Sequence, residues 1–285
     1  MVSNKNQKLK SLKAGRPPLA KSSRTMSRKA SRALINNHHQ LHKKRRQAIA
    51  QGDKATETAL NEELAKLGGL EKYQKASLQG QSQDRGGDTS KVLLEWLPVT
   101  ELRRSERKLR MLEVGSLSTQ NACTTSGLFD MVHIDLNSQE PGIEQQDFME
   151  RPLPEDESEK FDIISLSLVL NYVPEAEGRG QMLYRTLSFL RETSEQPDPG
   201  VLGPTFPSLF VVLPRSCVTN SRYFTEERLE ELMYALGYQK LRDKLTQKLT
   251  YSLWKRVGDP ADRRKFPKKE LNPGKTRNNF VITLG

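Results

Sequence analysis

Two cysteines, Cys123 and Cys217, are all that 285 residues contain. That is too few for a disulfide framework or a thiolate metal site, and it fits a reducing compartment. Long apolar runs are missing as well. None approaches the ~20 residues that a bilayer span requires, so no membrane association is expected. Hydrophobic residues make up only 35% of the chain, which limits it to one sizeable core with poorly packing ends. The first 50 residues hold no Asp or Glu at all, against 8 Lys and 6 Arg. No apolar stretch follows those charges, which excludes the pattern of a secretory signal.

The shortage of acids is local. Residues 1–90 sum to +12 and residues 255–285 to +6, so residues 91–254 hold −7 of the net +11. A mildly acidic globule is flanked by basic arms. Such arms attract polyanions by releasing condensed counterions, and RNA or DNA is the commonest partner. A solvated charged tail with no specific partner is the bland alternative. The acid-free start also suits a mitochondrial transit peptide. Against that, Gly15-Arg16-Pro17-Pro18 interrupts any amphipathic helix, and the basic character continues past Arg46. The runs Lys43-Lys44-Arg45-Arg46, Arg263-Arg264-Lys265 and Lys268-Lys269 have the form of nuclear addresses. The expected location is the nucleus, and within it the nucleolus.

Composition divides the chain into four parts: a disordered basic tail (1–32), a helical basic region (33–90), a ligand-binding domain (91–257) and a basic C-terminal extension (258–285). In the second part Leu34, Leu41, Ile49, Leu60, Leu64 and Leu67 lie among helix formers, broken near Gly52-Asp53. In the third, strands alternate with helices. MLEVG (111–115), MVHID (131–135), a segment around Ile143 to Phe148, FDIISLSLVL (161–170) and SLFVVLP (208–214) read as successive strands. Helices are expected over 178–192 and after a Thr225 cap, the latter stopping at Gly237. Asp88 or Ser90 is positioned to cap another over KVLLEWLPV. YQKLRDKL and LTYSLWKRV form an antiparallel edge, and VITLG reads as a strand with no assigned place. The fold class is therefore α/β with a mainly parallel sheet, whose strand ends share one ligand-binding rim.

On that rim Gly115 closes the first strand and Asp135 the second, 20 residues later. Glycine leaves backbone accessible, and an acid at the second strand end accepts hydrogen bonds from two ribose hydroxyls. A dinucleotide site also needs G-x-G-x-x-G to seat a pyrophosphate on a helix. Here Ser116-Leu117-Ser118-Thr119-Gln120 follows instead, which disfavours a nicotinamide enzyme. A ligand with ribose and no phosphate needs less of that loop, and S-adenosylmethionine is such a ligand. Glu113, two residues before the glycine, is expected to order the loop or face the cofactor's ammonium. Asp147 offers a carboxylate for the adenine amino group, with Phe148 beside it as a ring for the adenine face. A generic doubly wound domain with capping acids is the structural alternative.

These residues bring a family into view. The text from GGLEKYQKASLQGQSQDRGGDTSKVLLEWL (68–97) through LEVGSLS, VHIDLN and FDIISLSLVLNYVP (161–174) to FVVLPRSCVTNSRYF (210–224) resembles the fungal nucleolar large-subunit ribosomal RNA adenine-N1 methyltransferases. The resemblance covers about two thirds of the chain. It implies a class I methyltransferase fold, S-adenosylmethionine as cofactor with Gly115 and Asp135 among its contacts, and ribosomal RNA within a pre-ribosomal particle as partner. The chain departs from the general class I pattern in lacking the second and third loop glycines. Metazoan relatives sharing these motifs look like cofactor sensors that bind signalling partners. The +14 arm favours the enzyme, because a sensor has no need of it.

Adenine N1 is a nucleophile once unpaired, so the chemistry requires no general base, only extrusion and alignment of the base. Asn171 and Tyr172, followed by Pro174, are the residues placed for this. An amide hydrogen-bonds an adenine edge and a phenol ring stacks on its face. The alternatives are a helix cap for Asn171 and a core ring for Tyr172. Arg85 with Gly86-Gly87-Asp88, and Arg215-Ser216-Cys217 with Asn220, serve either substrate or turns. His38, His39 and His42 sit beside Lys43-Lys44-Arg45-Arg46, which suits an RNA-binding helix better than a metal site.

Overall fold

The computed structural model describes residues 47–68, 87–138, 140–192, 205–260 and 264–285, together with positions 34, 37, 40, 41, 44 and 45. The residue 1–32 tail, His38, His39, His42, Arg85, Gly86 and Arg263 lie outside the described residues. Among the described residues no helix is long and apolar enough to cross a membrane.

Within the helical N-terminal region, α1 (Lys54–Lys66) starts where Asp53 accepts the Thr56 amide at 3.0 Å. Leu41, Ala48, Leu60 and Leu64 form a small core of their own. Two short helices follow, α2 (Ser90–Trp96) and α3 (Val99–Arg104). The sheet then begins with β1 (Leu109–Val114), α4 (Ala122–Thr125), β2 (Phe129–Asp135), β3 (Glu144–Gln145) and β4 (Ile163–Ser167). It continues through α5 (Ala176–Phe189), β5 (Ser208–Pro214), α6 (Arg215–Thr219), α7 (Glu226–Ala235), β6 (Tyr238–Leu245) and β7 (Leu249–Arg256).

The strand order is β3-β2-β1-β4-β5-β7-β6. The first five strands are parallel, and β7 and β6 form the antiparallel edge expected from their sequences. The third strand is shorter than expected: only Glu144 and Gln145 pair with β2. Their side chains are exposed, so no apolar face extends the ladder.

Alternation along the strands supplies both faces of the sheet. Leu112, Val114, Ile164, Leu166, Leu209 and Val211 pack with Leu183 and Leu187 of α5 and Leu229 and Leu232 of α7. Leu109, Met111, Ile163, Phe210 and Val212 pack on the other side with Leu93, Leu97 and Leu102. Each fully buried Leu or Phe contributes about 1.5–3 kcal/mol relative to exposure. Thr225 caps α7 through the Arg228 amide at 3.1 Å, and Gly237 turns the chain at φ +82°.

VITLG takes no place in the sheet. Phe280, Val281 and Ile282 are buried in the core that contains α5, and the Thr283 amide donates to Ala176 O at 3.1 Å. A Cβ on Gly180 would stand 2.0 Å from Thr283 O, so this helical glycine is the notch that admits the C-terminal segment.

Candidate cofactor and substrate site

The carboxyl ends of β1, β2, β3 and β4 form one rim. At the end of β1, Gly115 adopts φ +73°, and the Gly115 and Ser116 amides both donate to Ile134 O at 2.8 and 3.0 Å. The chain thereby turns over the end of β2. A Cβ on Gly115 would lie 2.8 Å from Val169 Cγ2, so the glycine lets β1 close against the loop after β4. Asp135 ends β2, and its Oδ1 accepts the Asn137 amide at 2.8 Å. The Gln146 amide donates to Asp135 O at 2.9 Å, which draws the exit of β3 alongside. Asp147 follows, with Oδ1 accepting the Met149 amide at 2.8 Å. Next to Asp135, Leu136 is 64% exposed, an apolar face standing at a polar rim.

The loop after β1 keeps its shape without the usual glycines because side chains hold it from below and from the side. Glu113 and His133 are register partners on adjacent strands. Glu113 Oε2 contacts His133 Nδ1 at 2.9 Å, and it accepts from Asn121 Nδ2 at 2.8 Å and from Ser116 Oγ at 3.1 Å. Asn121 in turn caps α4 through the Thr124 amide. From the side, Glu140 accepts from Thr119 Oγ1 at 2.6 Å and the Thr119 amide at 3.2 Å, bonds that hold its carboxyl below the usual range. Asp88 adds a third tie: Oδ2 accepts the Ala122 amide at 2.6 Å, while Oδ1 accepts the Ser90 amide and hydroxyl at 2.9 and 2.6 Å. Thr89 Oγ1 then bonds Ser167 Oγ at 2.8 Å, at the end of β4. The Asp88-Thr89 pair therefore ties the start of α4, where the loop after β1 ends, to the end of β4. Glu113 orders the loop, one of the two roles expected of it.

Past β4 the backbone is strained. Leu168 has φ +58°, rare for a bulky residue and the kind of outlier that concentrates at functional sites. The Tyr172 amide donates to Val169 O at 2.8 Å, closing a turn over residues 169–172. Asn171 Oδ1 is buried with no hydrogen-bond partner among the described residues. Helix α5 begins five residues later with Glu175 at its N-cap, so Asn171 is no helix cap. Tyr172 is half-buried rather than a core ring. Val169 brings this turn against Gly115, so Gly115, Asp135, Asp147 and Asn171 share the rim.

One residue that sequence reasoning missed fixes this turn. Arg179 Nε donates to Val173 O at 2.8 Å and Leu170 O at 3.1 Å, Nη2 to Pro174 O at 3.3 Å, and Nη1 to Val281 O at 2.6 Å. Its guanidinium also lies over the Phe280 ring, 4.6 Å from the centroid. An arginine near the start of a helix was the sole signal, and its partners lie on segments far apart in sequence.

Phe148 requires correction. Its ring is 2% exposed and packs 5.2 Å from Phe189, so it belongs to the core and is not offered to a ligand. Apolar burial won over the exposed platform expected after the third strand. Leu136 stands exposed at the rim instead. Arg215 also turns away from a substrate role: its amide and guanidinium bond Lys248 O and Thr246 O in the β6–β7 turn. Neither thiol is a nucleophile, since burial pushes Cys123 far up and Cys217 up to about 12. Among the described residues no cluster of His, Cys, Asp and Glu could hold a metal ion.

Comparison with known proteins gives concordant results. A Saccharomyces cerevisiae protein named 25S rRNA (adenine(2142)-N(1))-methyltransferase is 41% identical over 227 residues, which are 78% of this chain and 62% of that protein. The chain thus matches less than two thirds of the yeast relative's length. A Schizosaccharomyces pombe 25S rRNA adenine-N(1) methyltransferase is 36% identical over 87% of this chain and 89% of its own. Among solved structures, TnmH covers 78% of this chain and 69% of its own at 11% identity and a TM-score of 0.44. That likeness adds nothing to the strand order already described. Residues 58–282 match the model of the family described as Bmt2, 25S rRNA (adenine(2142)-N(1))-methyltransferase, and the chain belongs to that family.

Proposed function

We propose that this chain transfers the methyl group of S-adenosylmethionine to N1 of an adenine in large-subunit ribosomal RNA. The names of its relatives support the reaction and the substrate. The rim supports the cofactor. Asp135 is the acid for the ribose, Leu136 gives an apolar face for the adenine, and Asp147 is the acid near the adenine amino group. Gly115 turns the chain beside the methionine end, over a loop that Glu113 has already ordered. When bound, the cofactor supplies an activated methyl on a sulfonium.

Asn171 carries the reading of the substrate side. A buried acceptor without a partner costs about 1–3 kcal/mol, and such groups call for an explanation. The exocyclic amine of an unpaired adenine is a donor of the right kind, and bonding it leaves N1 exposed for transfer. Tyr172 supplies a ring for the face of the extruded base. Arg179 holds the turn that carries both. The basic N- and C-terminal segments attract the RNA by counterion release, and they suit a nucleolar enzyme working in a pre-ribosomal particle.

The test is transfer of tritium from methyl-labelled cofactor to large-subunit ribosomal RNA lacking the modification, with digestion to nucleosides. Wild type should label 1-methyladenosine. Asn171→Ala should lower kcat about 10- to 100-fold, the equivalent of one buried hydrogen bond, without weakening cofactor binding. Cofactor binding with no labelled nucleoside would overturn the reading in favour of a sensor.

A further inference from the structure

A cavity of about 830 Å³ lies between the first turn of α5 and the C-terminal segment. Pro174, Glu175 and Glu177 line one wall, and Lys265, Lys268 and Asn279 line the other. It is separate from the cofactor rim but adjoins the substrate turn, because Pro174 lies two residues beyond Tyr172. Both walls hang on one strut. Arg179 bonds Pro174 O on the first and Val281 O on the second.

We propose that this cavity receives an unpaired nucleotide of the RNA next to the acceptor adenine, an inference that rests on the RNA-methylating reading above. The volume suits a nucleotide-sized group, since small-ligand sites run to roughly 300–1,000 Å³. The chemistry of the walls divides as a nucleotide does. Pro174, Pro267 and Val281 give apolar surface for a base, and the carboxylates of Glu175 and Glu177 accept from base N–H groups. Lys265 and Lys268 give cations for phosphate.

Charge favours a polyanion on the outer wall. Residues 264–285 contain six Lys and Arg against a single acid, Glu270. Lys265 and Lys268 are both exposed, and the Lys268 ammonium lies 4.3 Å from the centroid of the Tyr223 ring. Phe266 anchors this wall, fully buried, with the guanidinium groups of Arg228 and Arg264 at 4.6 and 5.5 Å from its ring centroid. The C-terminal segment therefore presents its cations from a fixed platform. An acidic peptide fits less well, because Glu175 and Glu177 face the same space.

The test is the double variant Lys265→Glu/Lys268→Glu, assayed with a large-subunit ribosomal RNA transcript that wild type methylates. The expected result is a KM for RNA at least tenfold higher, with wild-type affinity for S-adenosylhomocysteine. The log–log salt dependence of KM should become shallower by about 1.4, from two single-strand phosphate contacts of about 0.7 each. A transcript carrying 4-thiouridine beside the acceptor adenine should crosslink to residues 174–177 or 265–268. Unchanged KM and salt slope in the variant, or crosslinks only elsewhere, would overturn the placement while leaving the activity standing. A wild type that methylates no RNA would bring down the functional reading and this inference together.

Discussion

Alanine at position 115 is the most informative single change at the rim. The backbone there has φ +73°, where a side chain costs about 1–2 kcal/mol. The new methyl would also lie 2.8 Å from Val169 Cγ2, well inside the ~3.5–4.0 Å of good carbon contact. The two penalties are separable, because Val169→Ala removes the clashing methyl and leaves the backbone strain. Gly115→Ala should therefore lose about 2–3 kcal/mol. The double variant should recover roughly 1 kcal/mol of it as coupling between residues in contact. Val169 leads into Asn171 and Tyr172, so the same clash pushes on the substrate turn and should weaken cofactor binding. Urea unfolding of the four proteins gives the cycle, and titration calorimetry with S-adenosylmethionine gives the affinity. An alanine variant with the wild-type midpoint and affinity would refute the close approach of β1 to the β4 loop. A cycle with no coupling would show that strain alone makes the glycine necessary.

Two further outcomes are expected. Arg179→Lys keeps the charge but cannot reach four carbonyls, so kcat should fall about tenfold while affinity for S-adenosylhomocysteine stays at wild type; an unchanged kcat would remove Arg179 as a positioning residue. Cys217 should resist iodoacetamide at pH 8 in the folded protein and react on unfolding, because burial raises its thiol from the ordinary 9.0 to about 12. Since the folded value is the higher one, the associated stability is fully present below pH 9 and is lost as pH rises toward 12. Thermal melts across that range should show Tm falling, and a Cys217→Ala variant should fall less.

Much of this architecture is legible in the chain because its strands are written as short apolar runs that end in chemistry. Val114 then Gly115, and Ile134 then Asp135, mark two rim positions in the sequence itself. The antiparallel edge and the Thr225 cap are equally local. What resists reading is tertiary. The loop after Gly115 looks deficient because it lacks glycines, yet Glu113, His133 and Asn121 hold it through bonds spanning 8 to 20 residues. A register argument could have found the first pair, since Glu113 and His133 each stand two residues before a rim residue, Gly115 and Asp135. The N-cap of α2 is Thr89, with no side-chain cap bond, so neither Asp88 nor Ser90 takes the expected role; Asp88 accepts the Ser90 amide, and nothing in the sequence says that its other oxygen grips Ala122. Phe148 misleads because a lone aromatic after a strand serves core and ligand alike. The C-terminal segment misleads through its charge: Phe280, Val281 and Ile282 are core residues embedded in basic text, and Gly180 inside a helix was the clue to where they pack.

The central claim is that a glycine bend and an acid at neighbouring strand ends together hold a nucleoside without phosphates. A crystal structure with S-adenosylhomocysteine tests it most directly. Both ribose hydroxyls should lie within about 2.5–3.2 Å of the Asp135 carboxylate, with the adenine against Leu136 and the sulfur facing Asn171. A carboxylate turned away from the sugar, or a cleft closed by Leu136 and Val169, would contradict the account.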